Sequence, residues 1–233
     1  MKIFGNGFIA KNLKKIRLSN HFCFYAAGVS NSNLSNKKDF EREINEFNKF
    51  RKKINQSKII IYISSLSVEN KNLKQDKYIK NKLKIEEIIK KKIQKFIIIR
   101  LPQIIGKNNN KHTLTNSIFN TLSKNKNFIL WKGSIRNLID IDDIIEIVEK
   151  YLKNKPTLNS TINIFNPRSI AVEDLLRIFS SILNRKLKLI ILNKKNKNIN
   201  LKLLKKNTLI SKKFYKKIDK INYIKKTVKK YYK

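Results

Sequence analysis

Two isoleucine-rich runs, at 58–64 and 96–101, constrain this chain most, because they are apolar at successive positions instead of alternate ones. Side chains along a strand alternate between its two faces, so a strand that is apolar throughout must be covered on both. Similar short runs at 2–4, 22–26, 128–131 and 161–165 are separated by stretches of helical period at 8–17, 40–54, 76–95, 113–124, 142–153 and 172–183. Strands alternating with helices predict an α/β fold, a Rossmann-like doubly wound parallel sheet with helices on both faces. The Asn- and Lys-rich stretch at 107–111 and the region after Asn166 read as insertions or a smaller lobe instead of sheet. The expected division is a dinucleotide-binding-type domain over 1–165, with 106–135 partly contributing to a second lobe, and a small lobe with a Lys-rich tail over 166–233.

The net charge of +38 invites a nucleic-acid reading, but Lys supplies nearly all of it and Arg is scarce. Arg is the residue suited to bidentate phosphate and base contacts, so no specific nucleic-acid partner is expected. Heavy use of Lys, Asn and Ile with few Gly and Pro is what A/T-rich codons produce without selection for a partner. From residue 194 to the end there are 16 Lys against the single Asp219. Such a run reads as a solvated face or frayed tail, or else a polyanion-binding arm with Tyr215, Tyr223, Tyr231 and Tyr232 as weak stacking groups. Cys23 is alone, which leaves no disulfide framework and fits a reducing compartment. No apolar run approaches the ~18 residues of a membrane span, and the start lacks a signal peptide's apolar core, so a cytoplasmic protein is expected.

Tyr78 and Lys82 stand four residues apart in a helical stretch, thirteen residues after a Ser65 that closes an apolar run. A Tyr needs a neighbouring cation to serve as a base near neutrality, since its unperturbed pKa is ~10. At about 100° per residue, Ile79, Leu83, Ile85, Ile89 and Ile93 share an arc with Tyr78, Lys82 and Glu86, while Lys77, Lys80, Asn81, Lys84, Glu87 and Lys91 face away. Lys82 is thus the lysine set inside the apolar stripe, where Tyr78, Glu86 or a ligand must partner it. The alternative is a snorkelling Lys paired with Glu86 at i+4. Gly5, Gly7, Phe8 and Ile9 lie at the first strand-to-helix junction, where small residues allow a tight turn and close approach to a pyrophosphate, or simply a turn of positive φ. Ala26, Ala27 and Gly28 form a second small-residue turn after a strand.

In this order GNGFIA, FYAAGVS, IIIYISSLSV, Tyr78-x-x-x-Lys82, IIIRLPQIIG and IRNLIDIDDI resemble the extended short-chain dehydrogenase/reductase family, the nucleotide-sugar epimerases and dehydratases. The resemblance runs from Met1 to about Leu183. It implies NAD or NADP held by Gly5, Gly7, Phe8, Ile9, Ala27, Gly28, Tyr78, Lys82 and Pro102. It further implies Ser65 orienting a substrate hydroxyl, Tyr78 as acid/base, and Lys82 holding the ribose and readying the phenol for proton transfer. Arg136 matches the position that grips a nucleotide-sugar diphosphate, a task suited to a fixed guanidinium; otherwise it pairs with Asp140 or Asp142. Asn116 falls in a substrate-facing loop. The partners implied are a nucleotide-sugar, in surface-polysaccharide precursor synthesis, and at most a second copy as a homodimer.

The chain departs from the family pattern at its start. Two strands usual between the first helix and the Ala-Ala-Gly strand are missing, since Phe22 follows Arg17 almost at once. The ribose-binding acid has no counterpart, because Asp39 is the first acidic residue in the chain. Either Lys14, Lys15 or Arg17 meets a 2′-phosphate, or the role is non-catalytic nucleotide binding.

Overall fold

The computed structural model describes residues 1–28, 37–70, 76–193, 216–218 and 222–233. In chain order the elements are β1 (Lys2–Phe4), α1 (Phe8–Leu13), β2 (Phe22–Tyr25), α2 (Lys37–Lys53), β3 (Ile59–Ser65), a 3-10 turn (Leu66–Glu69), α3 (Lys77–Lys92) and β4 (Phe96–Leu101). There follow β5 (Gln103–Ile105), α4 (Leu114–Ser123), β6 (Phe128–Trp131), β7 (Ile135–Arg136), β8 (Leu138–Asp140), α5 (Ile141–Lys153), β9 (Ser160–Asn163), β10 (Ile170–Ala171), α6 (Val172–Leu183), β11 (Leu189–Leu192) and α7 (Tyr223–Tyr232). Two compact units result: Met1–Pro102 with Ile141–Ile164, and Gln103–Asp140 with the described residues from Phe165 onward.

The first unit is built on a five-stranded sheet, parallel throughout, in the order β1-β2-β3-β4-β9. The isoleucine runs are its centre: Ile60–Ile63 lie beside Phe96–Ile99, and Ser65 beside Leu101. One face carries Cys23, Tyr25, Ile60, Tyr62, Phe96 and Ile98, packed under Phe47 and Phe50 of α2 and Ile85 and Ile89 of α3. The Tyr25 and Phe47 rings meet edge-on at 5.0 Å, an arrangement favoured by the ring quadrupoles. Phe24, Ile61, Ile97 and Ile99 point the other way and are equally buried.

The opposite face belongs to α1 and α5. These helices touch each other, although α1 follows the edge strand β1 and α5 leads to β9 at the far edge. Contact across that span requires a face free of α2 and α3, so the sheet is covered on both sides as its double apolar pattern predicts. A consequence concerns chirality. The β1-α1-β2 and β2-α2-β3 connections step in the same direction but pass over opposite faces, so they have opposite hands. Right-handed crossovers are strongly favoured, so the connections over the α2/α3 face and those over the opposite face, β1-α1-β2 and the return through α5 to β9, cannot all take that hand. With two strands missing, β1 pairs directly with β2 and α1 keeps to the face away from α2.

The second unit holds three two-stranded pairs: β5 with β8 in parallel, β11 with β6 in parallel, and β10 with β7 antiparallel. Strands β10 and β11 therefore lie in the region after Asn166 that the sequence pattern left without sheet. They were missed because one is two residues long and the other, Leu189–Leu192, is exposed along most of its length. The tail also departs from expectation: α7 buries Tyr223, Ile224, Thr227, Val228 and Tyr232 among its lysines. Its Tyr232 ring lies 5.0 Å from Phe179 and 5.3 Å from Phe119. Tyr223, Tyr231 and Tyr232 are thus used in packing and hydrogen bonding within the chain, while Tyr215 lies outside the described residues. Among the described residues no helix is long and apolar enough to cross a membrane.

Candidate functional site

The C-terminal ends of β1, β2, β3 and β4 bring the first unit's candidate residues to one side of the sheet. Gly5 follows β1 with φ +122°, a backbone that disfavours any side chain. A Cβ there would also collide with the Ala26 carbonyl and lie 2.9 Å from the Ala27 nitrogen. Gly5 is thus required by the close approach of β1's end to the Ala26-Ala27 turn. Gly7 differs. Its backbone is extended (φ −74°), and open space lies where a Cβ would stand. Packing does not demand a glycine here, whereas a ligand backbone seated over it would. Phe8 and Ile9, half-buried, make the first turn of α1, a helix of 6 residues.

Gly28 leads directly to the Tyr–Lys pair. A Cβ on Gly28 would strike the Lys82 ammonium and come within 2.7 Å of Glu43 Oε1. Lys82 is 3% exposed, and its Nζ donates to Glu43 Oε1 at 2.8 Å. The partner is neither Tyr78 nor Glu86, the two protein groups its position in the stripe suggested. Nζ does stand 5.5 Å from the Tyr78 ring centroid and 5.9 Å from that of Tyr62. Tyr78 is half-buried in the first turn of α3, which Asp76 caps by accepting from the Tyr78 and Ile79 amides.

The faces of α3 are correspondingly rotated from expectation. Asn81, assigned to the outward side, is buried and donates to Glu43 Oε2 at 2.9 Å, whereas Leu83 is exposed. The physical reason is α2, which packs on this flank and carries a carboxylate inward. Glu43 is the residue that sequence reasoning missed. Its signal was present: it lies between Phe40 and Phe47 in the apolar stripe of α2, a carboxylate where only a buried cation would make it tolerable.

Glu86 serves another group. It accepts from Ser64 Oγ at 2.7 Å and from Nε of Arg100 at 2.9 Å, and a second guanidinium nitrogen completes a bidentate pair. Arg100 also bonds Glu69, which accepts from Asn163 at 3.1 Å. Burial opposes the Arg100 cation, but these carboxylates outweigh it and raise its pKa above the ordinary value. Ser65 ends β3 half-buried, and its Oγ accepts from the Ser67 amide at 3.2 Å, capping the 3-10 turn. Pro102, half-buried, follows β4 at the same sheet end. Of the residues suggested for a 2′-phosphate, Lys15 pairs with Asp142 at 3.2 Å, and the Arg17 amide donates to Glu149.

In the second unit Arg136 sits on β7, half-buried, donating to its neighbour's carbonyl, that of Ile135, at 2.9 Å. Burial depresses its pKa. Among the described residues no carboxylate pairs with it: Asp140 holds Lys230 and Tyr231, and Asp142 holds Lys15. Asn116 is more committed: it lies buried in α4, not in the substrate-facing loop expected for it. Its amide nitrogen donates to Asn108 and Asn110, and its oxygen accepts from Tyr232 at 2.5 Å. Gly28 and Tyr78 are therefore brought together around Lys82, Gly5 lies against the Ala26-Ala27 turn, and Asn116 is engaged inside its own unit.

No protein-family model matches the chain, and no curated protein is similar to it in sequence. Solved structures are similar. RMD from Pseudomonas aeruginosa complexed with NADPH superposes with a TM-score of 0.67 at 12% identity, covering 98% of this chain and 99% of that one. The UDP-glucuronic acid 4-epimerase of Bacillus cereus, in complex with UDP-glucuronic acid and NAD, gives 0.63 at 19% identity over 95% of this chain and 79% of that one. The dTDP-glucose 4,6-dehydratase of Bacillus anthracis in complex with NAD gives 0.61 at 11% over 89% and 71%. At such identities the likeness is one of architecture, and the chain has the fold of the extended short-chain dehydrogenases/reductases.

Proposed function

We propose that this protein is a cytoplasmic NAD(P)-dependent enzyme of nucleotide-sugar metabolism, an epimerase, dehydratase or reductase serving surface-polysaccharide precursor synthesis. The observation that carries the proposal is the Tyr78 ring standing 5.5 Å from a buried ammonium that itself lies against the Gly28 turn. The open space over Gly7 fits a dinucleotide backbone, and the neighbours bound to NAD or NADPH support the choice of cofactor. When bound, the nicotinamide supplies hydride acceptance and return. Tyr78 takes the proton of the sugar hydroxyl as its carbon is oxidised and returns it on reduction. Lys82 holds the ribose and stabilises the phenolate; Ser65 orients the substrate hydroxyl; Arg136, which no carboxylate pairs among the described residues, binds the diphosphate.

Titration of the purified protein with NAD⁺, NADH, NADP⁺ and NADPH tests this reading, and binding of none would end it. Where one binds, Tyr78→Phe is expected to keep dinucleotide affinity within about threefold and to lower turnover of a nucleotide-sugar by at least about a hundredfold. A second reading, nucleotide binding without turnover, is favoured by β1 lying at the sheet edge, with no further strand beyond it among the described residues to carry an adenosine-ribose acid. Turnover that survives Tyr78→Phe would remove the Tyr assignment.

A further inference from the structure

Glu43 has no part in the chemistry proposed above, yet both of its carboxylate oxygens are committed beside it. Oε1 takes the Lys82 ammonium at 2.8 Å and Oε2 takes the Asn81 amide at 2.9 Å, two successive residues of α3. The Lys82 and Glu43 side chains are 4% and 1% exposed. The Tyr25 hydroxyl reaches the Glu43 carbonyl at 3.5 Å, so the backbone that presents the carboxylate is tied to β2. A lysine has four rotatable side-chain bonds and, left alone, would extend its ammonium to water. Here the ammonium is held inside, against Gly28 and beside the Tyr78 ring.

We infer that Glu43 is a positioning residue that acts through Lys82, fixing the ammonium under the Ala26–Gly28 turn where a dinucleotide ribose would meet it. The inference rests on the dinucleotide-dependent reading above. An isolated buried carboxylate here would be costly and would repel an anionic ligand; paired, it becomes the device that aims a cation. Gly28 belongs to the same device, since any side chain at that position would displace the ammonium.

The test is a double-mutant cycle on NADH and NADPH affinity, followed by fluorescence titration, with Glu43→Gln, Lys82→Met and the combined variant. Glu43→Gln is expected to weaken binding at least about fivefold in the presence of Lys82 and less than about twofold once Lys82 is Met. Equal losses in both backgrounds, or unchanged affinity in Glu43→Gln, would overturn the inference, since a general structural role has no reason to disappear with Lys82. Each single change leaves half of an ion pair buried, so Glu43→Asp provides a charge-conserving alternative. It is expected to weaken binding at least about threefold with its melting temperature nearly kept, and unaltered affinity would likewise overturn the inference. Failure of the unsubstituted protein to bind any nicotinamide nucleotide strikes the parent reading first and removes the inference with it.

Discussion

Gly5 and Gly7, two residues apart in one motif, answer to different causes. Gly5 is demanded by its positive φ and by the Ala26 carbonyl, whereas nothing in the chain fills the space over Gly7. Gly5→Ala is expected to destabilise the protein by on the order of 3 kcal/mol, combining backbone strain with a collision. Gly7→Ala is expected to change stability by less than about 1 kcal/mol while weakening dinucleotide binding, a split that thermal melts and titration would reveal. The spacing of the two glycines, and of Tyr78 and Lys82, was legible in the sequence because each is local. The partner of Lys82 was not, since Glu43 is 39 residues away and only the packing of α2 on α3 brings it in. A charged residue in each of two apolar stripes, of opposite sign, is the pattern that would have paired them.

Helices and strands were read where their period was long enough to average over single residues. The termini of α6 and β4 fall where the pattern put them, and Asp76 and Thr113 sit at caps just outside their helices. α7 escaped because its stripe of Tyr223, Ile224, Thr227, Val228 and Tyr232 is diluted by a lysine-rich background. Its anchoring is specific. The Tyr232 hydroxyl bonds Thr115 at 2.9 Å and Asn116 at 2.5 Å, and the Tyr223 hydroxyl accepts the Asp140 amide. Tyr232→Phe keeps the ring contacts but strips the buried Asn116 oxygen of that donor, and is expected to cost about 1–3 kcal/mol by denaturant melts. The same helix buries Tyr223 and Tyr232 and so removes those two rings from any stacking role.

For the molecule as a whole, +38 charges say little about the fold, which is set by the doubly apolar strands. The parallel α/β sheet followed from the alternation of elements, but the order of its strands and the hand of the first crossover did not: they depend on which strand β1 pairs with and which face α1 occupies, a competition among long-range contacts. The buried aromatic side of the sheet sets an alkaline limit. Burial, with Glu43 as the leading charge, pushes the Tyr25 phenol well above its usual range and does the same to Tyr62, whose hydroxyl has no hydrogen-bond partner among the described residues. Both must be neutral in the folded state, whereas an unfolded chain ionises them near pH ~10. Their contribution is therefore intact below about pH 10 and is lost as pH rises through that value toward the raised folded ones. Tyrosinate absorbance and loss of structure are expected to rise together for these two groups; ionisation of all tyrosines ahead of unfolding would contradict it.

The thread of the backbone between the two units limits how the protein can be shortened. It leaves the first unit after Pro102, re-enters it at Ile141 and leaves again after Ile164. No one scission can release either unit whole. A product ending at residue 165 would keep the five-stranded sheet, yet it would strip β7 of β10, β6 of β11 and Asn116 of the Tyr232 hydroxyl. Fragments meant to isolate the sheet must instead join Pro102 to Ile141 by a new linker.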